Sequence, residues 1–132
     1  MVGLAIGAYQ VTLGRRAATL AALIPLYRDY QSPALQVTRD RVYQNHFDLN
    51  NLSADEDQQI RDLLNALEFL GALVTNHIVS FTVVKSLFHN SPLPVWNALE
   101  PFVRRQRAGD PGANQRSVPG YAKNYETLVG RY

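Results

Sequence analysis

A single carboxylate, Glu68, is set into LLNALEFLGALVTNHIVSFTVVKSLF, residues 63–88, otherwise among the most apolar parts of the chain. Such a group is costly among apolar side chains unless it is paired and hydrogen-bonded. It is therefore either half of a structural ion pair or an acid–base group. Glu126 follows Tyr125 as a second carboxylate among apolar neighbours, and Arg104 and Arg105 are the best cationic partners, with Lys85 as a further one. Two carboxylates and an arginine could move a proton, but hydrolysis also needs a cleft and a nucleophile or metal.

Nothing in the sequence supplies those. There is no cysteine, which removes thiolate ligands and nucleophiles. His46, His77 and His89 are not spaced four apart and form no ligand-type cluster with a carboxylate. Gly3, Gly7 and Gly14 have the wrong spacing for a phosphate loop and follow no strand. The serines stand at helix starts, where capping explains them. The chain is accordingly read as having no catalytic residue, no metal and no cofactor, and as not an enzyme. Glu68 is expected to pair structurally with Arg104 or Arg105.

Arg104, Arg105, Arg107 and Arg116 make the clearest basic cluster. Beside Tyr121 and Tyr125 it could follow a phosphate backbone while the rings stack on bases. The competing and preferred reading is that arginines in a last helical turn satisfy the helix end and stay solvated. The net charge of +2 is too small to argue for nucleic acid by itself.

These groups are positioned by helices. The 132 residues fit one domain with one core, and the apolar spacing predicts an all-α bundle of five or six helices. Ile6, Leu13, Leu20 and Tyr27 recur every seven residues, with Ala17 and Ile24 between them, painting one stripe on a long N-terminal helix. Pro25 is expected to kink or end it. A second helix starts at Ser32-Pro33 and is read through about Phe47. SADE, residues 53–56, is a capping box that opens a buried central helix. Gly71 lies mid-stripe there, where another backbone can approach closely. Ser80 caps a short helix ending near His89, and NSPLP starts the helix of Val95, Trp96, Leu99 and Val103, which Pro101 is expected to bend or divide. Trp96 is expected to anchor the core against the central helix near Gly71. Residues 108–120 read as a flexible loop rich in glycine and proline, and a last helix carries Tyr121, Tyr125, Leu128 and Tyr132 on one stripe.

The segment MVGLAIGAYQVTLG has no charged side chain before Arg15. It falls short of the roughly 20 apolar residues that cross a bilayer, and it lacks the basic start of a secretory signal. Residues 1–13 read as an apolar extension of the first helix, whose Leu4, Ile6, Tyr9 and Leu13 reach past the core as a surface for a partner. Arg15 and Arg16 stay in solvent at its base.

LLNALEFLGALV at residues 63–74, VWNALEPFVRRQR at 95–107 and the ending YAKNYETLVGRY resemble the bacterial helical domains catalogued as domain of unknown function 4760. The first helix, GRRAATLAALIPLYRDYQSPALQ, is similar to the family's usual opening, so the likeness covers most of the chain. Its recurring polar and aromatic positions are Asn65, Glu68, Trp96, Pro101, Arg104 or Arg105, Tyr125 and Glu126. The resemblance implies a helical domain, often preceded by a membrane helix, and no established activity. The expected function is therefore a non-enzymatic helical interaction module in the cytoplasm, joining a protein partner or itself, or working at the inner face of the membrane. The alternative is a nucleic-acid or anionic-ligand binder, regulatory or phage-defence related, using the Arg104–Arg116 cluster.

Overall fold

Six α-helices follow one another among the described residues of the computed structural model: α1 (Val2–Tyr30), α2 (Pro33–Tyr43), α3 (Ala54–Thr75), α4 (Phe81–Phe88), α5 (Pro92–Ala108) and α6 (Lys123–Val129). The structure describes residues 2–110, 112 and 115–132, and of residues 2–5, 9 and 12 the backbone only. Among the described residues the sole extended pairing is one isolated bridge, Asp110 with Gln115. The fold is an all-α bundle.

α3 is its axis. The Ser53 hydroxyl accepts the Glu56 N–H at 3.1 Å, and the Glu56 carboxylate accepts the Ser53 N–H at 3.2 Å, closing the box that the sequence predicts. Those bonds, with the Arg41 guanidinium at 2.8 Å, hold the Glu56 carboxyl below its usual range. Beyond this cap Ile60, Leu63, Leu64, Leu67, Leu70, Leu73 and Val74 are all buried. The helix packs against α1, α2 and α6, while α5 closes the bundle against α2 and α6.

Helix ends follow local chemistry. α3 stops where His77 takes φ +59° and Ile78 N–H reaches back to the Leu73 carbonyl at 2.9 Å, a left-handed cap that satisfies orphan carbonyls. α2 ends the same way at Tyr43, not near Phe47: Asn45 takes φ +53° and His46 N–H bonds the Arg41 carbonyl at 2.9 Å. Phe47 then lies under the Arg41 guanidinium, 4.0 Å from it. Neither Pro25 nor Pro101 ends its helix. Both prolines are exposed, as are Ala21 and Asn97 four residues earlier, so water can take the carbonyls the prolines leave unbonded.

The seven-residue stripe of α1 meets the core only at its last member, Tyr27, whose ring packs edge-on against Phe88 with centroids 5.5 Å apart. Among the described side chains Leu23, Leu26 and Tyr30 are the buried positions of this helix, whereas Ile6, Leu13, Leu20 and Ile24 are 44–52% exposed. Every described side chain from Ile6 to Ala18 is exposed, so residues 2–18 form a rod about 25 Å long at 1.5 Å per residue.

The segment read as a flexible loop is tied back to α5 where it is described. Gln115 Nε2 donates to the buried Gln106 Oε1 at 2.8 Å, and the Ser117 hydroxyl donates to the Arg107 carbonyl at 2.5 Å. It then delivers α6 onto α3. A Cβ on Gly71 would sit 2.3 Å from the Asn124 carbonyl oxygen and 2.7 Å from the Tyr125 nitrogen, so backbone rests on backbone there.

Gly71→Ala should therefore destabilise the fold by about 1–3 kcal/mol, the range for overpacking, despite the roughly 1 kcal/mol that alanine gains in helix propensity. Denaturant titration reads this directly. An unchanged or higher midpoint would mean that α6 is not seated on Gly71.

Candidate functional site

Glu68 lies one turn before Gly71 and meets the start of α6. Its carboxylate accepts the Asn124 N–H at 3.2 Å, the Asn124 side-chain amide at 2.9 Å and the Tyr125 N–H at 2.9 Å. The two N–H groups of Asn124 and Tyr125 are backbone donors that a helix start leaves without partners. α6 has no cap of its own: Ala122 holds the N-cap position in the left-handed region at φ +56°, with no side-chain hydrogen bond. Glu68 is that missing cap, supplied from another helix, and its charge lies at the favourable end of the α6 dipole.

The ion pair expected of Glu68 is thus not formed. Arg104 turns back along α5 to Glu100, at 2.5 and 3.0 Å. Arg105 reaches the α2–α3 connection, donating to the Leu49 carbonyl at 2.6 Å and to Asn50 Oδ1 at 3.0 Å. The carboxylate finds three donors on α6 and needs no guanidinium.

Arg107 joins α6 as well. It donates to the Tyr121 carbonyl and to Glu126 Oε2, both at 2.9 Å, and this guanidinium holds the Glu126 carboxyl below its usual range. The basic cluster of the sequence therefore disperses to three different elements, with Arg116 exposed on its own segment.

Trp96 is buried, and its ring meets Tyr125 edge-on with centroids 5.1 Å apart. The expected seat near Gly71 is thus filled through Tyr125, whose backbone lies over that glycine. The Tyr125 hydroxyl donates to the Pro92 carbonyl at 2.6 Å, and burial pushes its pKa well above the ordinary tyrosine value.

A second constellation was not read from the sequence. Four tyrosines converge on the corner between α4 and α5. Tyr125 bonds Pro92, Tyr132 donates to the His89 carbonyl at 2.9 Å, and the Ser91 hydroxyl lies between those of Tyr30 and Tyr43, the latter at 2.6 Å. Ser91 consequently does not cap α5 with its side chain. Burial pushes the Tyr30 hydroxyl up to about 12, so it stays protonated and can donate. Arg39, also buried, donates to the Tyr30 carbonyl and lies over its ring at 3.9 Å. The only advance signal was tyrosine at positions 30, 43, 125 and 132, without spacing to connect them.

Among the described residues no three His, Asp or Glu side chains are gathered as a metal would require. His46 and His77 sit at the ends of α2 and α3, and His89 follows α4 at φ +52°. Of the contact residues expected on the N-terminal extension, Ile6 and Leu13 are exposed. Leu4 and Tyr9 have side chains outside the described residues. Where α1 meets the body, Thr19 donates to the Ile78 carbonyl at 3.1 Å. Beside it an open cleft of about 500 Å³ is lined by Arg15, Arg16, Thr19, Leu20, Ser80 and Val83.

A family model described as "Domain of unknown function (DUF4760)" matches residues 1–132, the whole chain. The chain belongs to the DUF4760 family. No curated protein and no solved structure matches it. In this DUF4760 chain, then, Glu68, Trp96, Tyr125 and Glu126 are accounted for by how α6 is fastened.

Replacing Glu68 with alanine leaves two helix-start donors without their partner and removes charged hydrogen bonds, an expected loss of about 2–3 kcal/mol. Glu68→Gln should lose less. Glu68→Ala combined with Arg104→Ala should be additive within about 0.5 kcal/mol, because the two share no contact. Measured coupling well above that would restore the ion pair.

Proposed function

We propose that this DUF4760 protein is a non-enzymatic helical interaction module that joins a second copy of itself through α1. The observation that carries the reading is the outward stripe. Ile6, Leu13 and Leu20 recur every seven residues, and Ala17 and Ile24 follow Leu13 and Leu20 by four. That alternation is the seam of a two-helix coil. Its four large side chains are each about half exposed, away from the core positions Leu23, Leu26 and Tyr30. Apolar surface in register along a projecting helix is normally covered by another molecule.

A second reading, contact with the inner face of the membrane from the cytoplasm, is favoured by a separate observation. The uncharged run ends at Arg15-Arg16, and no carboxylate pairs with either among the described residues. No helix among the described residues is long and apolar enough to cross a membrane, so such contact would be with the surface. The nucleic-acid alternative has less support, since Arg104, Arg105 and Arg107 are each engaged within the fold.

Light scattering on the full chain tests self-association. The wild type should be a dimer or larger. Leu13→Gln with Leu20→Gln should give a folded monomer, because neither side chain is buried within its own chain. A wild type that is monomeric at high concentration would sink the proposal.

A further inference from the structure

We infer that the cleft between α1 and α4 seats the anionic headgroup of a phospholipid at a bilayer surface. The inference rests on α1 being the docking element and adds a ligand to its base. The cleft is lined by Arg15, Arg16, Thr19, Leu20, Ser80 and Val83, and an adjoining hollow of about 480 Å³ adds Ala18, His77 and Ile78. No carboxylate lines either one. The first acidic residue of the chain is Asp29.

The state of the arginines singles this place out. Arg41, Arg61, Arg104 and Arg107 each hold a carboxylate, and Arg39 and Arg105 hold backbone carbonyls. Arg15 and Arg16 are exposed and hold none of these among the described residues; Arg28, Arg116 and Arg131 hold none either, but each stands alone, and of these only Arg15 and Arg16 are neighbours. Two adjacent guanidinium groups without internal anions can bind a phosphodiester through paired N–H donors. Ser80 also lines the cleft, and its hydroxyl, which accepts the Val83 N–H, keeps its own proton to donate.

The rest of the lining decides which phosphate. Leu20 and Val83 give the cleft an apolar floor, and the helix leading away from it exposes Ile6, Val11 and Leu13 with no charge before Arg15. A free anion has no use for that apolar surface. A polynucleotide would want rings to stack on, and no aromatic side chain lines the cleft. A headgroup carrying acyl chains fits both parts, phosphate on the arginines and chain starts against Val83 and Val11, which lie outside the self-association stripe.

Vesicle flotation of the full chain tests this, using phosphatidylcholine vesicles with and without phosphatidylglycerol. The wild type should float only with the anionic vesicles, and binding should weaken with salt. Arg15→Gln with Arg16→Gln should bind about 30-fold more weakly, the equivalent of roughly 1 kcal/mol for each surface arginine. The same variant should keep its oligomeric mass in light scattering. Any of three results would overturn the inference: no flotation with either vesicle, a variant that floats like the wild type, or inorganic phosphate at millimolar concentration displacing the protein completely. A monomeric wild type that floats through these arginines would defeat self-association and leave the headgroup site standing. An oligomer indifferent to vesicles would do the reverse.

Discussion

The bundle depends on one contact, the carboxylate of Glu68 on the first N–H groups of α6 with Gly71 beneath them. α6 has seven residues, too few for a helix to persist without tertiary support. Glu68 supplies charged hydrogen bonds where the helix end is electropositive. Gly71 removes the side chain that would hold the two backbones apart. Once α6 is down, Tyr125 brings its ring to Trp96 and its hydroxyl to Pro92, and Glu126 reaches Arg107. α3 and α5 are thereby joined through a helix that neither sequence propensity nor its own capping would stabilise.

That junction also fixes the corner between α4 and α5. Tyr125 and Tyr132 bond its carbonyls from the C-terminal side, while Tyr30 and Tyr43 bond Ser91 from α1 and α2. Tyr30 is the last residue of α1, and its ring packs edge-on against Phe88 with centroids 5.0 Å apart. The inner end of α1 is thus held by burial and hydrogen bonds. Its outer residues, through Ala18, are exposed wherever described. A firmly rooted helix with an apolar outward stripe can present a surface without changing the body, as the proposed docking role requires.

Much of the fold was legible because the signals were local. The Ser53–Glu56 box, the Ser80 cap and the long apolar face of α3 each lie within one helix. Gly71 was legible for the same reason, as a residue with no side chain at the centre of a buried stripe. The partner of Glu68 was not, because opposite charge is only one way to satisfy a carboxylate, and unpaired helix-start donors leave no residue type to search for. The clue was an absence: Ala122 stands where Ser, Thr, Asp or Asn would cap. The α1 stripe was legible as a surface reaching past the core at Ile6 and Leu13, but what covers it was not. A seven-residue recurrence marks a surface that packs on a helix, but not whether that helix belongs to the same molecule. That Pro25 and Pro101 do not end their helices was not legible, because it depends on whether water reaches the carbonyl one turn back.

Amide hydrogen exchange at Asn124 and Tyr125 tests the central claim most directly, since their N–H groups are the ones Glu68 binds. A seven-residue helix ordinarily frays, and its amides exchange by local opening. If Glu68 fastens α6 to α3, these two amides should exchange as slowly as those in the middle of α3, through global unfolding only. Exchange at the rate of a frayed end, while α3 stays protected, would contradict the account.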